Sequence, residues 1–361
     1  MDSIYISKNN KGTSLLEKKR LPLLFLCIII PVIWYVTIGC ELRESYDLNR
    51  YYSGALLLKD ASFSDIFDNY ISRSNDFIYY IILHCAVLLS LPLNLVTVII
   101  VTIYYLLIIS CMKDIYRGRI EWSVIITVLF LVPMIWVISI SRNLTAIMFL
   151  YIAVKMYYKK KWVLMLLFAS LSVFTHFSTL MYVAVLVLSY LFRKTQINKW
   201  VVAVIASVLM VVSLIIPSYL IDILGSAVSG SDTIYGIEYT DLQATNMWVL
   251  DSVGYGDKLP GLSSLIFSII LLLNNNKQGF EYWMLFMLTI MLSFFLNSSP
   301  MFTNRCMMVM PMFWGLNVAS IYNFGSENER KIIKYFSIYA ILVIILHVWA
   351  YRPIYLAFLF H

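Results

Sequence analysis

The chain has 361 residues, of which 61% are hydrophobic and 13% are charged. A soluble domain of this length would not need so many apolar residues, and the continuous apolar runs are typical of a helical membrane protein. The net charge of +7 comes from basic residues scattered over short loops, so no nucleic acid partner is expected. We therefore predict an all-α polytopic membrane protein in which residues 1–361 form a single integral membrane domain.

Apolar segments follow one another from Leu21 to Trp349, and most approach the length of about 20 residues that a membrane-spanning helix needs. We predict about eleven transmembrane helices, at residues 21–40, 93–112, 123–140, 142–158, 162–175, 177–192, 200–220, 260–273, 282–296, 306–323 and 335–350. Residues 76–91 form a further apolar segment that ends before Pro92, and we interpret it as a re-entrant or interfacial helix.

The distribution of Lys and Arg predicts the orientation of these helices. With residues 1–20 as a cytoplasmic tail, 19 of the 27 basic residues fall in cytoplasmic loops, as the preference of short inner loops for Lys and Arg requires. Counting 76–91 as a full span would reverse every later loop and place most basic residues outside. The topology leaves two larger external loops, 41–76 and 222–259, so we expect any chemistry to occur on the outer side, at or within the membrane.

Three residues with functional side chains stand at the outer ends of predicted spans. Arg142 lies between two apolar runs with almost no loop, Arg305 lies where an external loop re-enters the membrane, and His176 lies at the tip of a helical hairpin. A guanidinium at this depth is costly and usually faces a partner or an aqueous cavity. Snorkelling to the interface is the alternative for Arg142, and a hydrogen-bonded core position is the alternative for His176.

The first external loop contributes a second group of polar residues. If it is helical, Arg43, Asp47 and Tyr51 share one face at i, i+4 spacing. A solvated linker leaving the first span is the alternative interpretation. Arginine is permanently charged and binds phosphate oxygens bidentately, so a lipid phosphate or diphosphate is the simplest ligand. The arginines placed to bind it are Arg43, Arg50, Arg142 and Arg305.

The order of these features resembles the EpsG/Wzy family of polysaccharide polymerases. The matching elements are, in chain order, Arg43, Asp47 and Tyr51 in the first loop, Arg142-Asn143-Leu144-Thr145-Ala146 at the start of a span, the inner turn Lys159-Lys160-Lys161, the hairpin Phe174-Thr175-His176-Phe177-Ser178, and Arg305 at the start of a late span. Asn143 stands where the family often has Gln. The resemblance covers most of residues 20–325.

This resemblance implies a GT-C-like membrane glycosyltransferase on the outer face of a bacterial inner membrane, with no cofactor. It would join undecaprenyl-diphosphate-linked oligosaccharide repeat units, as donor and acceptor, into O-antigen or a related polysaccharide. A chain-length regulator is a further partner that the resemblance suggests. The four arginines would bind the diphosphate, and His176 or Asp47 would act as the base. No Asp-x-Asp motif is found in the sequence, so we expect no metal requirement.

Residues 252–257 read Ser-Val-Gly-Tyr-Gly-Asp and look like the selectivity filter of potassium channels. Ser252 and Asp251 replace the filter's threonines, and no tandem two-span plan is visible, so a Gly-Tyr-Gly turn in the external loop is the better interpretation. Tyr255 would then be placed to stack on a sugar, and Tyr51 of the first external loop is a second candidate to bind a sugar. An oligosaccharide ligase, a membrane O-acyltransferase that uses His176 and a transporter of lipid-linked sugars are the remaining alternatives.

Overall fold

The computed structural model of the chain describes residues 15–42, 47–57, 59–60, 62–66, 77–116, 120–215, 255–297 and 300–350. All regular secondary structure in these ranges is helical. In chain order the helices are α1 (Leu15–Glu41), α2 (Asp47–Leu57), α3 (Phe63–Ile66), α4 (Phe77–Leu88), α5 (Leu93–Ile115), α6 (Trp122–Phe130), α7 (Met134–Ser139), α8 (Ser141–Tyr158), α9 (Trp162–Thr175), α10 (Leu180–Phe192), α11 (Lys199–Ile215), α12 (Tyr255–Asn274), α13 (Phe280–Phe295), α14 (Pro300–Phe324) and α15 (Glu327–Ala350). A 3-10 turn, Phe177–Thr179, joins α9 to α10.

Two of the described helices are long and apolar enough to cross a membrane by themselves. These segments are Leu93–Asp114 in α5, with 22 residues, and Glu327–Trp349 in α15, with 23 residues. Shorter apolar helices pack with them, and α9, α11 and α15 expose large hydrophobic side chains that lipid would cover. The helices therefore fit the predicted all-α membrane protein, while the number of spans stays a prediction.

The prediction of one continuous helix over residues 123–140 is wrong. α6 ends at Phe130, α7 begins at Met134, and Pro133 between them has φ −57° and ψ 127°. Proline carries no backbone N–H, and it also pushes the preceding residue out of the helical region, so the helix is interrupted here. The break leaves α7 as a short helix that leads directly into α8.

The segment predicted to be re-entrant forms α4, which has 12 residues. At 1.5 Å per residue this helix is about 18 Å long, shorter than the hydrocarbon core of about 30 Å. The first predicted external loop contains α2 and α3, and its residues 43–46 and 67–76 lie outside the described part of the chain. Residues 216–254 of the second loop also lie outside it.

The central helix of the bundle is α14. All its side chains from Cys306 to Tyr322 are buried, and α5, α6, α8, α12 and α13 pack against it. Gly315 is required where α14 meets α5, since an added Cβ would lie 2.6 Å from Cγ of Met112. The start of α14, where Arg305 lies, is consequently held in a fixed position among the other helices.

A proline inside α14 is compensated by two tyrosines from neighbouring helices. Pro311 has no backbone donor, which weakens the helical hydrogen bonds of the preceding turn. Tyr104 of α5 donates to the carbonyl of Met308 at 2.8 Å, and Tyr151 of α8 donates to the same carbonyl at 3.0 Å. The two rings stack with centroids 5.4 Å apart. These contacts tie α5 and α8 to α14 one turn beyond Arg305.

Helices α5 and α8 are also joined at their C-terminal ends. Lys155 of α8 forms an ion pair with Asp114 of α5 at 3.3 Å and donates to Ser110 of the same helix. Lys155 is a charged residue within a predicted span, and Asp114 supplies the opposite charge that stabilises it there. The end of α8 that begins with Ser141 lies opposite, and it carries the first of the predicted functional arginines.

Candidate functional site

Arg142 is the second residue of α8 and follows the short turn after α7. Ile140 caps α8 with φ −108° and ψ 47°, so the chain changes direction between the two helices. The next residue, Ser141, is fully buried and shares a 2.5 Å hydrogen bond with the hydroxyl of Tyr79 in α4. This contact joins the start of α8 to α4, and the next residue, Arg142, is half-buried.

Arg305 lies in the second turn of α14 and is half-buried. Its Nε atom is buried and has no hydrogen-bond partner among the described residues. Its guanidinium carbon lies 6.0 Å from the ring centroid of Phe302, one turn earlier. The prediction that Arg305 stands at the start of a late membrane helix agrees with this position.

Arg305 lies close enough to four groups of other helices to interact with them electrostatically. They come from α2, α8 and α10, and they are Asp47, Tyr51, Arg142 and Tyr182. The two arginines, which are 163 positions apart in the numbering, thus share one neighbourhood. Because like charges repel, this pair is costly unless an anion lies between or beside them.

The first-loop residues join the same neighbourhood through α2. Asp47 and Tyr51 share a helix face, and the Tyr51 hydroxyl donates to Oδ2 of Asp47 at 3.3 Å. The guanidinium carbon of Arg142 lies 5.1 Å from the Tyr51 ring centroid, within the range of a cation–π interaction. Asp47 also occupies the first turn of α2, where the helix dipole favours a carboxylate.

Two tyrosines that the sequence analysis did not identify pack against the ring of Tyr51. Tyr79 and Tyr80, at the start of α4, lie edge-on to Tyr51 with centroid distances of 5.5 and 6.5 Å. Tyr79 is fully buried. The sequence signal was the Tyr-Tyr pair that opens the segment interpreted as re-entrant, but the apolar pattern alone does not say which helix that pair meets.

His176 stands at the level of Arg142 on the adjacent helix. Ser172 of α9 donates to the carbonyl of Ala146 of α8 at 2.8 Å, which sets the register of these antiparallel helices. Four residues further along α9 is His176, and four residues back along α8 is Arg142, so both lie at the same end. His176 is 8% exposed, its backbone is extended, and Thr179 donates to its carbonyl through both N–H and hydroxyl.

Tyr182 connects the His176 hairpin to Arg305 and was not predicted from the sequence. It is fully buried in α10, and its hydroxyl lies 4.0 Å from Sγ of Cys306, the neighbour of Arg305. An aromatic residue on an apolar helix carries no sequence signal for such a role. Its position six residues after His176 is the only hint that it belongs to the same end of the bundle.

The remaining predicted residues lie outside the described part of the chain, wholly or in their side chains. Arg43 is among the undescribed residues, and Arg50 contributes only its backbone in α2. Tyr255 is the first residue of α12, and its side chain is not described. Residues 252–254 of the Gly-Tyr-Gly segment lie outside the described part of the chain. Tyr255 and Gly256 are helical, which does not fit a turn or a pore-facing carbonyl at these two residues, since helical carbonyls point along the axis.

Among the described residues, the groups around Arg305 carry more positive than negative charge. The described groups that interact with it include a second guanidinium, one carboxylate and two phenols. Guanidinium groups that are half-buried at the ends of apolar helices are suited to bind an anion with several oxygens, in two parallel hydrogen bonds each. Among the described residues no group of three His, Cys, Asp or Glu side chains could hold a metal ion.

Apolar helices with half-buried arginines at one end fit an integral membrane protein. The model of the EpsG family matches residues 23–360, nearly the whole chain, and the protein therefore belongs to the EpsG family. This family includes Wzy-type polymerases, so membership indicates a membrane glycosyltransferase with a polysaccharide polymerase-like function. Comparison with curated proteins and with solved structures gives no match.

Proposed function

We propose that this protein joins lipid-diphosphate-linked oligosaccharide repeat units by glycosyl transfer on the outer face of the inner membrane. The observation that carries the proposal is the pair Arg142 and Arg305, which interact electrostatically at one end of a bundle of apolar helices with Asp47 as a nearby carboxylate. A diphosphate on a membrane lipid has the charge, the number of oxygens and the depth to bind this pair.

In this reaction a hydroxyl oxygen of one lipid-linked unit attacks the anomeric carbon of another. The bond between that carbon and the diphosphate oxygen breaks, and the polyprenyl diphosphate departs with an additional negative charge. Arg142 and Arg305 stabilise this charge as it develops, which is the largest contribution that fixed cations make to such a step. Fixed guanidinium groups can supply this stabilisation without a metal ion.

The proton of the attacking hydroxyl needs an acceptor, and two groups of the site are candidates. Asp47 lies in the electrostatic neighbourhood of Arg305 and accepts a hydrogen bond from Tyr51. His176 lies at the level of Arg142 on the neighbouring hairpin. Positioned bases contribute about 10²- to 10⁴-fold to a proton transfer, so loss of the true base is measurable. Tyr80 is half-buried and offers a ring on which a sugar can pack, and the buried rings of Tyr51 and Tyr79 lie edge-on to it.

The proposal extends to the partners of the reaction. Undecaprenyl diphosphate is the proposed carrier, the product is O-antigen or a related surface polysaccharide, and a chain-length regulator is a proposed partner in the membrane. Arg43, Arg50 and Tyr255 remain proposed contacts to the diphosphate or the sugar.

Substitution of Arg142 tests the proposal, with Arg193 as a matched control. Arg193 is also a half-buried arginine against a tyrosine ring, with its guanidinium carbon 3.5 Å from the Tyr190 centroid, but it lies at the opposite end of α10. Arg142→Ala should insert normally and leave single repeat units on the lipid carrier, whereas Arg193→Ala should still make long chains. Normal chain lengths in Arg142→Ala would contradict the proposal that Arg142 binds the diphosphate.

A further inference from the structure

An apolar cavity of about 330 Å³ lies apart from the arginine site, between α1, the break that separates α6 from α7, α12 and α15. Its lining includes Val36, Met134, Pro260, Val343 and His347. An apolar cavity of about 150 Å³ takes up one benzene ring, so this one has room for a longer hydrocarbon segment.

The cavity opens toward the lipid-facing surface of the bundle. Val32 of α1 and Val348 of α15 line it and are 43% and 48% exposed. Neighbouring side chains of α15, such as Leu342 and Leu346, are exposed at 56% and 54%. A hydrocarbon chain can therefore enter from the membrane without passing through water.

Helix α7 connects this cavity to the arginine site. Pro133 and Met134 line the cavity at the start of α7, and the helix ends just before Arg142. Arg142 is eight positions after Met134, and the six residues of α7 span about 9 Å at 1.5 Å per residue. In the middle of α7, the Trp136 ring lies edge-on to His347 with centroids 5.5 Å apart.

We infer that this cavity holds the first part of the polyprenyl chain of the substrate, whose diphosphate lies on Arg142 and Arg305. The inference rests on the proposed function, because it takes the ligand at the arginines to be a lipid diphosphate. A chain bound at one end of α7 and a diphosphate bound at the other place the anomeric carbon at a fixed position beside Asp47 and His176. Polyprenyl binding here thus contributes orientation to the reaction.

Packing distinguishes this chain from the surrounding lipid. The acyl chains of the bilayer are as apolar as the prenyl chain, so removal from water does not drive entry into the cavity. Selectivity must come from the fit of a branched, unsaturated chain to a rigid wall and from its covalent link to the diphosphate. The occupant is therefore expected to be displaced by another polyprenyl diphosphate and to resist displacement by phosphatidylglycerol.

A pair of adjacent substitutions on α15 tests the inference. Val343 is 3% exposed and lines the cavity, whereas Leu342 is 56% exposed and does not line it. Val343→Trp should raise KM for a long polyprenyl substrate about tenfold, which corresponds to about 1.4 kcal/mol, because the indole ring occupies space that the chain needs. Leu342→Trp should leave KM unchanged. A substrate whose diphosphate carries only a methyl group has no chain to place in the cavity, so Val343→Trp and the unaltered protein should use it equally well. An equal loss on both substrates would contradict the inference.

Photolabelling of the unaltered protein gives a second measurement that does not depend on the variants. A polyprenyl diphosphate with a diazirine in its first isoprene units should label peptides of the helices that line the cavity, which are α1, α6, α7, α12 and α15. Excess unlabelled polyprenyl diphosphate should displace it. Label on other helices, or equal displacement by phosphatidylglycerol, would overturn the inference. If the protein forms polymer but the label lies elsewhere, the cavity is not the polyprenyl site and the proposed function stands. If the label lies in the cavity but no polymer forms, the proposed function is wrong and the polyprenyl site stands.

Discussion

Replacement of Arg305 by Ala is expected to lower turnover without lowering stability. The Arg305 Nε is buried and has no hydrogen-bond partner among the described residues, and the side chain lies near the like charge of Arg142. Removing it therefore deletes repulsion and a desolvated charge from the unliganded protein. In the transition state, loss of one fixed donor to a developing anion costs about 2.7–4 kcal/mol, or about 10²–10³ in kcat. Because Arg142 remains, we expect the lower end, about a hundredfold.

The assay combines single-turnover kinetics on a lipid-linked repeat unit with thermal unfolding in detergent. Arg305→Ala should lose about a hundredfold in kcat, with a Tm equal to or above that of the unaltered protein. Arg305→Lys keeps the charge but lacks the bidentate geometry, so its kcat should fall between the two. Turnover of Arg305→Ala within threefold of the unaltered protein, or a Tm that falls together with activity, would refute the reasoning.

The remaining predictions separate structural roles from chemical ones. Tyr151→Phe should lower the free energy of unfolding by about 1 kcal/mol and leave kcat unchanged. The hydrogen bond from the Tyr151 hydroxyl to the Met308 carbonyl near Pro311 is lost, while the arginines stay in place. Thermal unfolding and turnover measured on the same sample check this. Tyr51→Phe should reduce turnover by less than about tenfold, since the hydrogen bond to Asp47 is lost while the ring stays in place. Tyr51→Leu should reduce turnover further because the cation–π contact with Arg142 is lost as well. His176→Gln and Asp47→Asn should differ in kcat: only the variant that lacks the base should lose about 10²- to 10⁴-fold. Both variants should still bind polyprenyl diphosphate. Equal, small losses in both variants would exclude each as the base.

The local pattern of the chain predicts helices well where charges end an apolar run. Residues 162–175 are bounded by Lys161 and His176, and α9 has these limits. Residues 123–140 are almost uniformly apolar, so their hydropathy does not reveal that Pro133 divides them into α6 and α7. The short helix α7 that results is the connection between the cavity and Arg142, and hydropathy alone does not show it.

The sequence predicts which site residues are brought together by neighbouring helices, but it predicts contacts between distant segments less well. Arg142 and His176 could be placed at one level because a hairpin of known length joins them, and the contact of Ser172 with Ala146 agrees with that register. Tyr79 and Tyr182 were missed because the side of a uniformly apolar helix that faces a neighbour depends on packing between distant segments. The functional roles of all these residues stay proposals.

Reconstitution of the purified protein with a single defined lipid-linked repeat unit tests the central claim most directly. Each new glycosidic bond should release one polyprenyl diphosphate, so we measure chain length on a gel and released diphosphate in the same sample, with a chelator present. The account predicts a ladder of products and a one-to-one ratio of diphosphate released to bonds formed. Unextended repeat units with no diphosphate released, or a ladder that vanishes with the chelator, would contradict it.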